Sequence, residues 1–531
     1  MVERASDLPS GYRIEPSGLY LDGEQISNFV VCPTELYCRQ GDNLPFACDL
    51  EICQEKGIQR KSHVLLESLS DSWWKRPPPG CWYNPLLKRP YQKVQFLFQH
   101  LFSKLSPQTV TPAAEIGWLS LPSGRTVYVT GSEVIGSLPD EGTIWLPDQM
   151  EEFVIETEPG VSTEDALDYF WKHFTLMPGI TDVLLVYTVA SFLSPMFSAA
   201  GIIPRFPLIL EGPTEAKKTT LACLTCAVFS RISNPRACVA GLTSTKCALE
   251  LRAGQMRHCT LVVDDLFPDG GRSQQEKALN LIRDLANQDV REVRLGNTLT
   301  GSRMDCGVVF TAEFFPVCNR STRTRCLRLK LQGPVPNSML QPFQTHPGLL
   351  GNVFKEFLRR VSAQYDSFCT MVKTDFHSYF AQRGRPDAPA IRSERLAGIG
   401  FYLSEALDVL LTVFPTADRN DIMRGFQERL NCWLDWQLSP EAAPDLRDVT
   451  SVIPELSRKY PEFFFCHRGC LCISPDDLCS LLRHRFGDQT IDRDFIIRLL
   501  RERNALQMDK SGAATKKIAG RRYLCLLPHR L

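Results

Sequence analysis

The sequence predicts an α/β protein with a parallel sheet at its centre, and two observations carry this prediction. From residue 180 to residue 331, short apolar runs typical of buried strands alternate with helical segments, which is the pattern of strand–helix–strand units. One of these strands is followed by a phosphate-binding-loop pattern at 212–219. Because open parallel sheets bind ligands at the carboxyl ends of their strands, we expect the functional site there.

The regions on either side of this core have different patterns. Residues 14 to 60 alternate short apolar runs with turn residues, which predicts small β-structure. Residues 345 to 440 are mostly helical in pattern, and after a proline-rich linker two helical segments precede a basic hairpin. That last order is typical of a winged helix. The sequence thus predicts four domains: a β-rich domain at 1–158, the core at 159–335, a helical lid at 336–440 and a winged-helix domain at 445–531.

Local sequence patterns predict two helices before the phosphate loop. Ser162 with acidic residues behind it is a capping pattern, and it predicts a helix that ends near Met177. The apolar stretch from Val183 to Ile203 has the length of a membrane span, but Pro195 and several serines interrupt it and it leads directly into the loop strand. We therefore interpret it as a buried helix, with no membrane partner.

The composition is that of a globular protein without an overall excess of charge. Of 531 residues, 44% are hydrophobic and 23% charged, as in an ordinary globular protein. Lys+Arg and Asp+Glu are equal at 60 each, so any basic surface must be local. The amino-terminal residues contain no apolar signal segment, so the 20 cysteines are expected to be reduced core residues in a soluble, cytoplasmic protein.

The segment 212–219 matches the phosphate-loop pattern G-x-x-x-x-G-K-[ST] with one departure, because Lys217 replaces the second glycine. In that pattern Lys218 supplies an ammonium to phosphate and Thr219 a hydroxyl to Mg²⁺. The alternative is an ordinary strand–turn–helix junction with a basic turn. The predicted ATP-binding residues are Gly212, Pro213, Thr214, Glu215, Ala216, Lys217, Lys218, Thr219 and Thr220.

A second motif strengthens the nucleotide hypothesis. The apolar run from Thr260 ends in Asp264 and Asp265. In phosphoryl-transfer sites such carboxylates hold the metal and orient the attacking water, so Thr219 and Asp264 are the predicted Mg²⁺ ligands and Asp265 the water-orienting residue. Many such ATPases have Glu at the position of Asp265, so slow hydrolysis is expected.

The predicted winged helix has a basic surface. Cations lie on its second helix and on the hairpin, and the predicted DNA contacts are Arg498, Arg501, Lys516, Lys517, Arg521 and Arg522. A recognition helix in the major groove with a wing on phosphate is one interpretation. A solvated basic face and a protein-docking surface are the alternatives. The aromatic and basic residues around Trp73 to Lys93 either stack bases or pin a proline-stiffened loop.

The order of these motifs resembles one family. Gly117-Trp118 with a glycine hairpin, the phosphate loop, the run 243–250, the double-aspartate strand and Phe267-Pro268 are together similar to the MCM-like AAA+ helicases of mobile genetic elements. This group includes the Cch type of cassette chromosomes and related phage and integrative-element proteins. The resemblance extends over about residues 14 to 335. It implies an AAA+ P-loop ATPase core in a ring, with a homo-hexamer expected, that hydrolyses ATP and translocates on DNA.

The resemblance also implies roles for further residues. Thr311 or Glu313 ends the sensor strand, and Arg325, with Arg323 as its neighbour, matches the arginine that reaches into the adjacent subunit's site. Each arginine has a structural ion pair as its alternative role. Weaker sensor candidates are Arg392 and Arg395 in the lid. The basic segment with Arg291, Arg294 and Arg303 occupies the place of a DNA-contacting hairpin inside the ring, or is a salt-bridged surface loop.

The functional hypothesis is an ATP-dependent DNA helicase, translocase or replication-initiation ATPase of a mobile element. Its expected substrate is single-stranded or forked DNA, and element-encoded replication proteins are possible partners. Two alternatives remain open. One is a DNA-binding module that binds ATP with little or no hydrolysis, which Lys217 favours. The other is an ATP-driven scaffold that acts on protein partners.

Overall fold

The computed structural model consists of two compact units, Met1–Val154 and Ile155–Leu531. The structure describes residues 8–39, 42, 44–55, 57–113, 116–136, 143–145, 152–201, 206–229, 239–241, 246–266, 272–287, 292–295, 298–301, 305–313, 315, 320–383, 394–438, 452–486, 491–509 and 512–530.

The first unit is mainly β-structure, as the alternating pattern predicts. Its strands are β1 Tyr12–Glu15, β2 Gly18–Leu21, β3 Glu24–Ser27, β4 Phe29–Arg39, β5 Pro45–Gln54, β6 Gly57–Leu65, β7 Pro107–Pro112, β8 Gly117–Ser120, β9 Thr126–Val129, β10 Val134–Ile135 and β11 Thr143–Trp145. Its helices are α1 Asp71–Lys75 and α2 Pro90–Phe102. A five-stranded sheet, in the order β11-β7-β4-β5-β6, packs against α2 and forms the main core.

The second unit contains the predicted parallel sheet. The strands of its central part are β12 Leu208–Glu211, β13 Val239–Gly241, β14 Thr260–Leu266, β15 Glu292–Leu295, β16 Thr298–Gly301, β17 Gly307–Ala312 and β18 Leu327–Lys330. Five of them form one sheet in the order β13-β14-β17-β12-β18, and every neighbouring pair is parallel. The phosphate-loop strand β12 therefore lies between β17 and β18, with β14 one strand further. Buried apolar side chains occupy both faces of β12, as expected when helices cover both sides of a sheet.

Helices surround this sheet and continue beyond it. Their bounds are α3 Thr163–Phe174, α4 Thr181–Phe192, α5 Ser194–Ala199, α6 Lys218–Cys226, α7 Lys246–Gln255, α8 Arg272–Asn287, α9 Arg320–Arg323, α10 Asn337–Thr345, α11 Gly348–Ala363, α12 Tyr365–Arg383, α13 Glu394–Val413 and α14 Arg419–Leu438. The Ser162 hydroxyl accepts a hydrogen bond from the Asp165 backbone amide at 3.1 Å, which confirms the predicted cap.

The apolar stretch before the loop forms two helices, α4 and α5, where the sequence predicts one. Pro195 lies in the first turn of α5, and proline is accepted at that position but not in a helix interior. Every residue of α4 is buried, and the Tyr187 hydroxyl donates to the carbonyl oxygen of Phe206 at 2.8 Å. The α4 part of the stretch thus belongs to the core of the fold.

The carboxyl-terminal part has its own core. It contains α15 Ile453–Lys459, β19 Phe464–His467, β20 Cys470–Ile473, α16 Pro475–Phe486, α17 Arg493–Glu502, β21 Thr515–Ile518 and β22 Arg521–Leu526. The strands form an antiparallel sheet in the order β19-β20-β22-β21. One face of this sheet packs on α16 and α17 through Phe464, Ile473, Leu524 and Leu526.

One described helix, α13, is long and apolar enough to cross a membrane. Its apolar window is 72% buried inside the chain, which is typical of a core helix.

Candidate functional site

The phosphate-loop segment connects the carboxyl end of β12 to the amino end of α6. Glu211 ends the strand and Lys218 is the first helical residue. A Cβ at Gly212 would lie 3.0 Å from the Leu331 Cβ, so a larger residue would fit only if the Leu331 side chain shifted. Glu215 and Lys217 have φ angles of 63° and 62°, in the left-handed region that favours glycine. Lys217 thus adopts the backbone conformation for which the pattern normally provides glycine.

The two lysines of the loop contact neutral oxygens. The Lys218 ammonium donates to the carbonyl oxygens of Gly212 and Pro213 at 2.9 and 2.8 Å. The Lys217 ammonium contacts the Asn337 side-chain oxygen at the start of α10. Both cations therefore lie at the loop in which the sequence predicts phosphate binding.

Three predicted residues meet at the carboxyl end of the sheet. The hydroxyls of Thr219 and Thr311 each donate to Oδ1 of Asp264, both at 2.5 Å. The pairing of β14 with β17 is irregular between Val263 and Leu266, so a bulge coincides with Asp264. Bulges of this kind redirect side chains and are common next to active sites. The structure thus joins the loop, the double-aspartate strand and the sensor strand at one carboxylate.

Glu313 makes a second connection between the sensor strand and the loop. Its Oε1 accepts a hydrogen bond from the Thr214 hydroxyl at 2.7 Å. Glu313 therefore lies beside the loop, whereas Thr311 lies on Asp264. The Asp265 side chain is outside the described part of the structure.

A buried ion pair holds the strand that leads into the loop. Glu211 and Arg328 are 4% and 2% exposed, and the Arg328 guanidinium donates to both Glu211 carboxylate oxygens at 2.5 and 3.0 Å. The same guanidinium lies 4.5 Å from the Phe315 ring centroid and 5.0 Å from that of Trp436. This pair ties the strand that carries the loop to β18 and α14.

The predicted trans-acting arginines differ in exposure. Arg323 is 6% exposed, and the Gln437 amide donates to its carbonyl oxygen at 2.6 Å. Arg325 is half-buried, and its pKa is lowered by partial burial and then by the neighbouring charges of Arg395 and Arg283. Of the two candidates, Arg325 is better placed to reach outwards, and it belongs to a cluster of three arginines.

The predicted pore hairpin is described only in its backbone. β15 and β16 pair antiparallel, with Arg294 opposite Leu299. Arg291 and Arg303, like the lid residue Arg392, lie outside the described residues, as does the Arg294 side chain.

The basic residues of the carboxyl-terminal part are solvent-accessible. Arg498 and Arg501 are exposed on α17, as are Lys517, Arg521 and Arg522 on the hairpin, while Lys516 is half-buried. None of the six forms an ion pair with a carboxylate of the described residues. Cations that are not paired with carboxylates suit phosphate contacts.

The sequence patterns did not indicate several of these contacts. Asn337, Arg283, and the pair of Glu211 with Arg328 come from elements distant in sequence, and no motif contains them. The polarity of Glu211 within an otherwise apolar strand was the one available signal.

No protein-family model matches the sequence, and no curated protein matches it. The fold itself matches known structures. A solved structure of the active helicase Cch of SCCmec type IV aligns with a TM-score of 0.57 and 13% identity, over 98% of this chain and 97% of that one. The X-ray structure of JCV helicase is 14% identical over 47% of this chain and 72% of that one, with a TM-score of only 0.21.

The fold is that of a mixed α/β protein with a parallel sheet, and the match to the Cch structure fits a P-loop core. Over nearly the whole chain, this architecture is similar to that of the Cch helicase. This agreement confirms the resemblance that the motifs predict, at the level of the fold.

Proposed function

We propose that this protein is an ATP-dependent DNA helicase or translocase, or a replication-initiation ATPase, of a mobile genetic element. The observation that carries the proposal is the contact of Thr219 and Thr311 with one carboxylate oxygen of Asp264. Parallel strands bring these residues to the edge of the sheet at which such folds bind ligands. The fold shared with an active helicase supports the same conclusion.

The residues at this edge fit Mg²⁺ and ATP. Mg²⁺ prefers hydroxyl and carboxylate oxygens and retains waters, so Thr219 and Asp264 would hold it. When bound, it would neutralise charge on the transferring phosphate. Lys218 and the loop amides at the start of α6 would bind the phosphates, Thr311 orients Asp264, and Asp265 or Glu313 would position the attacking water.

The other parts of the proposal concern assembly and DNA. We assign an AAA+ core at 159–335, a helical lid at 336–440 and a winged-helix domain at 445–531, after the β-rich region at 1–158. Arg325, beside Arg395 and Arg283, would act on a neighbouring subunit's nucleotide in a hexameric ring in the cytoplasm. The exposed cations of α17 and the β21–β22 hairpin would contact single-stranded or forked DNA.

ATP turnover with and without single-stranded DNA tests this function. We expect DNA-stimulated hydrolysis in the wild type and its loss in Lys218→Ala. Lys172, an exposed lysine that pairs with Asp168 on α3, provides the matched control, and Lys172→Ala should leave turnover unchanged. Absence of hydrolysis in a wild type that still binds ATP would overturn the motor function.

In that case the second candidate, an ATP-binding DNA module without efficient hydrolysis, would replace it. One observation favours this candidate, namely the left-handed backbone of Lys217 at the glycine position. Lys217→Gly distinguishes the two. If the lysine limits turnover, the glycine variant should hydrolyse ATP faster than the wild type, whereas a true motor with a tolerated lysine should not gain.

A further inference from the structure

The sheet of the carboxyl-terminal part has a second face that the proposed winged helix does not use. Because side chains alternate along a strand and paired residues share a face, the strand register separates the two faces. The face away from the helices, here called the outer face, carries Phe465, His467, Cys470, Cys472, Lys516, Ile518, Arg521, Tyr523 and Cys525.

The same register divides the cations of the hairpin. Lys517 pairs with Arg522 on the face that packs against α17, whereas Lys516 pairs with Tyr523 and Arg521 with Ile518 on the outer face. Lys517 and Arg522 can therefore join the exposed arginines of α17 on one nucleic-acid surface. Lys516 and Arg521 belong to the opposite side of the sheet.

The outer face presents two aromatic rings above a small-residue floor. The rings of Phe465 and Tyr523 lie 4.9 Å apart at an interplanar angle of 89°. Phe465 is 37% exposed and Tyr523 half-buried. On the same face are buried Cys472 and Cys525, which face each other across β20 and β22, and Tyr523 packs against them. A ring pair over such a floor leaves ring surface open to a planar ligand.

The charge of this sheet is entirely positive. None of the residues of β19, β20, β21 and β22 is an aspartate or glutamate, while lysine, arginine and histidine are all represented. Partly exposed aromatic rings interleaved with cations, without carboxylates, form the combination that binds single-stranded nucleic acid, because bases stack on the rings and cations contact the phosphates. In a duplex the bases are stacked inside and their faces are not available.

We propose that the outer face is a binding platform for single-stranded DNA, with Phe465 and Tyr523 as stacking residues and Lys516 and Arg521 as phosphate contacts. The platform is separate from the proposed DNA surface on α17, whose sequence is interpreted as a recognition helix for the duplex part of a fork, and it rests on the proposed DNA function. The two surfaces lie on opposite sides of one sheet and would hold the two kinds of DNA present at a fork.

Fluorescence anisotropy with a labelled 20-nucleotide oligo(dT) and with a labelled duplex tests the platform in the full chain. Phe465→Ala and Tyr523→Ala should each weaken oligo(dT) binding about fivefold or more and leave duplex binding unchanged. Tyr523→Phe and Phe465→Trp should retain the affinity. The control is Phe380→Ala, which removes a ring of 39% exposure that packs on Phe376 in α12.

A direct readout removes the contribution of other single-strand contacts. Ultraviolet crosslinking of a bromodeoxyuridine oligonucleotide, followed by peptide mapping, should identify the peptides that contain Phe465 and Tyr523. The platform would be overturned if Phe465→Ala and Tyr523→Ala bind oligo(dT) as tightly as Phe380→Ala and if these crosslinks do not form. That result would indicate a protein-docking face.

The outcomes also separate this inference from the proposed function. The platform alone would be refuted if the wild type binds oligo(dT) and shows DNA-stimulated ATP turnover, while Phe465→Ala and Tyr523→Ala leave the oligo(dT) affinity unchanged. If the wild type binds neither oligo(dT) nor the duplex, both the platform and the proposed DNA function would be refuted. Both alanine variants should remain folded at the temperature of the binding assay, which thermal unfolding checks, because the core on the other face of the sheet is untouched.

Discussion

At the scale of single residues, the carboxylate of Asp264 is where three sequence motifs become one site. Thr219 and Thr311 donate to the same oxygen, so the position of this carboxylate depends on both hydroxyls. A misplacement of about 1 Å at a catalytic group can cost about a hundredfold in rate.

Thr311→Val should therefore lower ATP turnover by about ten- to a hundredfold, because valine keeps the shape of threonine and loses the hydroxyl. Thr311→Ser should retain most of the activity. Thr260→Val is the control, since Thr260 is at the other end of the neighbouring strand and donates to the carbonyl oxygen of Cys226. Equal turnover of the Thr311→Val and Thr260→Val proteins would contradict the role of Thr311.

Lys217 provides a test of backbone strain. Its φ of 62° costs a residue with a Cβ roughly 1 kcal/mol. We expect the Lys217→Gly protein to be more stable than the Lys217→Ala protein by about that amount, because both lose the contact with Asn337 and only glycine relieves the strain. Urea unfolding of the two variants measures the difference, and equal midpoints would show that the loop is not strained.

At the scale of secondary-structure elements, the ion pair of Glu211 and Arg328 holds the loop strand in place. Both side chains are buried, and a buried charge that loses its partner remains desolvated without compensation. Removing one partner should therefore lower the unfolding free energy by more than the intact pair adds to it.

Arg328→Met should destabilise the protein by about 3–5 kcal/mol, and the double variant Glu211→Leu/Arg328→Met should recover much of that loss. Arg424→Met is the control, because Arg424 pairs with Asp421 at 70% and 72% exposure and such surface pairs contribute about 0–1 kcal/mol. Denaturant unfolding of the four proteins checks this. A double variant no more stable than Arg328→Met would show that packing, rather than the orphaned charge, dominates.

At the scale of the whole molecule, stability should depend on pH through buried titratable groups. Burial and the nearby carboxylates of Asp375 and Asp408 raise the pKa of Glu405 to about 8; Asp408 itself is bound by Arg419 at 2.7 Å. The native state thus holds a proton that the unfolded chain has released above a pKa of 4.5, so this stabilisation is lost as pH rises to about 8. His173, with its pKa lowered to about 4 by burial, acts in the opposite direction and only below about pH 6.5.

Between pH 6.5 and 8 the wild type should therefore lose roughly 2 kcal/mol of unfolding free energy. Glu405→Gln, which mimics the protonated carboxyl, should be insensitive to pH in that window. Glu394→Gln is the control, since Glu394 is exposed at the start of the same helix and its substitution should leave the slope intact. Urea unfolding at both pH values provides the measurement. If the unfolding free energy of Glu405→Gln still falls between pH 6.5 and 8, the pH dependence arises from another group.

The sequence by itself determined the elements and the local chemistry. Apolar runs and the helix period located β12, β14 and β17 to within a few residues, because these patterns are local. The loop motif located Lys218 and Thr219 for the same reason. The fold class and the resemblance to Cch-type helicases also follow from the order of motifs along the chain.

Only the tertiary structure decided which of these residues meet. Strand order brings Thr311 to Asp264, and no local pattern encodes strand order. The register of β21 and β22 assigns Lys516 and Lys517 to opposite faces, although they are neighbours in the sequence. Burial separates Arg323 from Arg325, and the break at Pro195 divides one predicted helix into two. The physical reason is that contacts between distant segments depend on packing of the whole chain, whereas propensity and motif spacing describe only a few residues at a time.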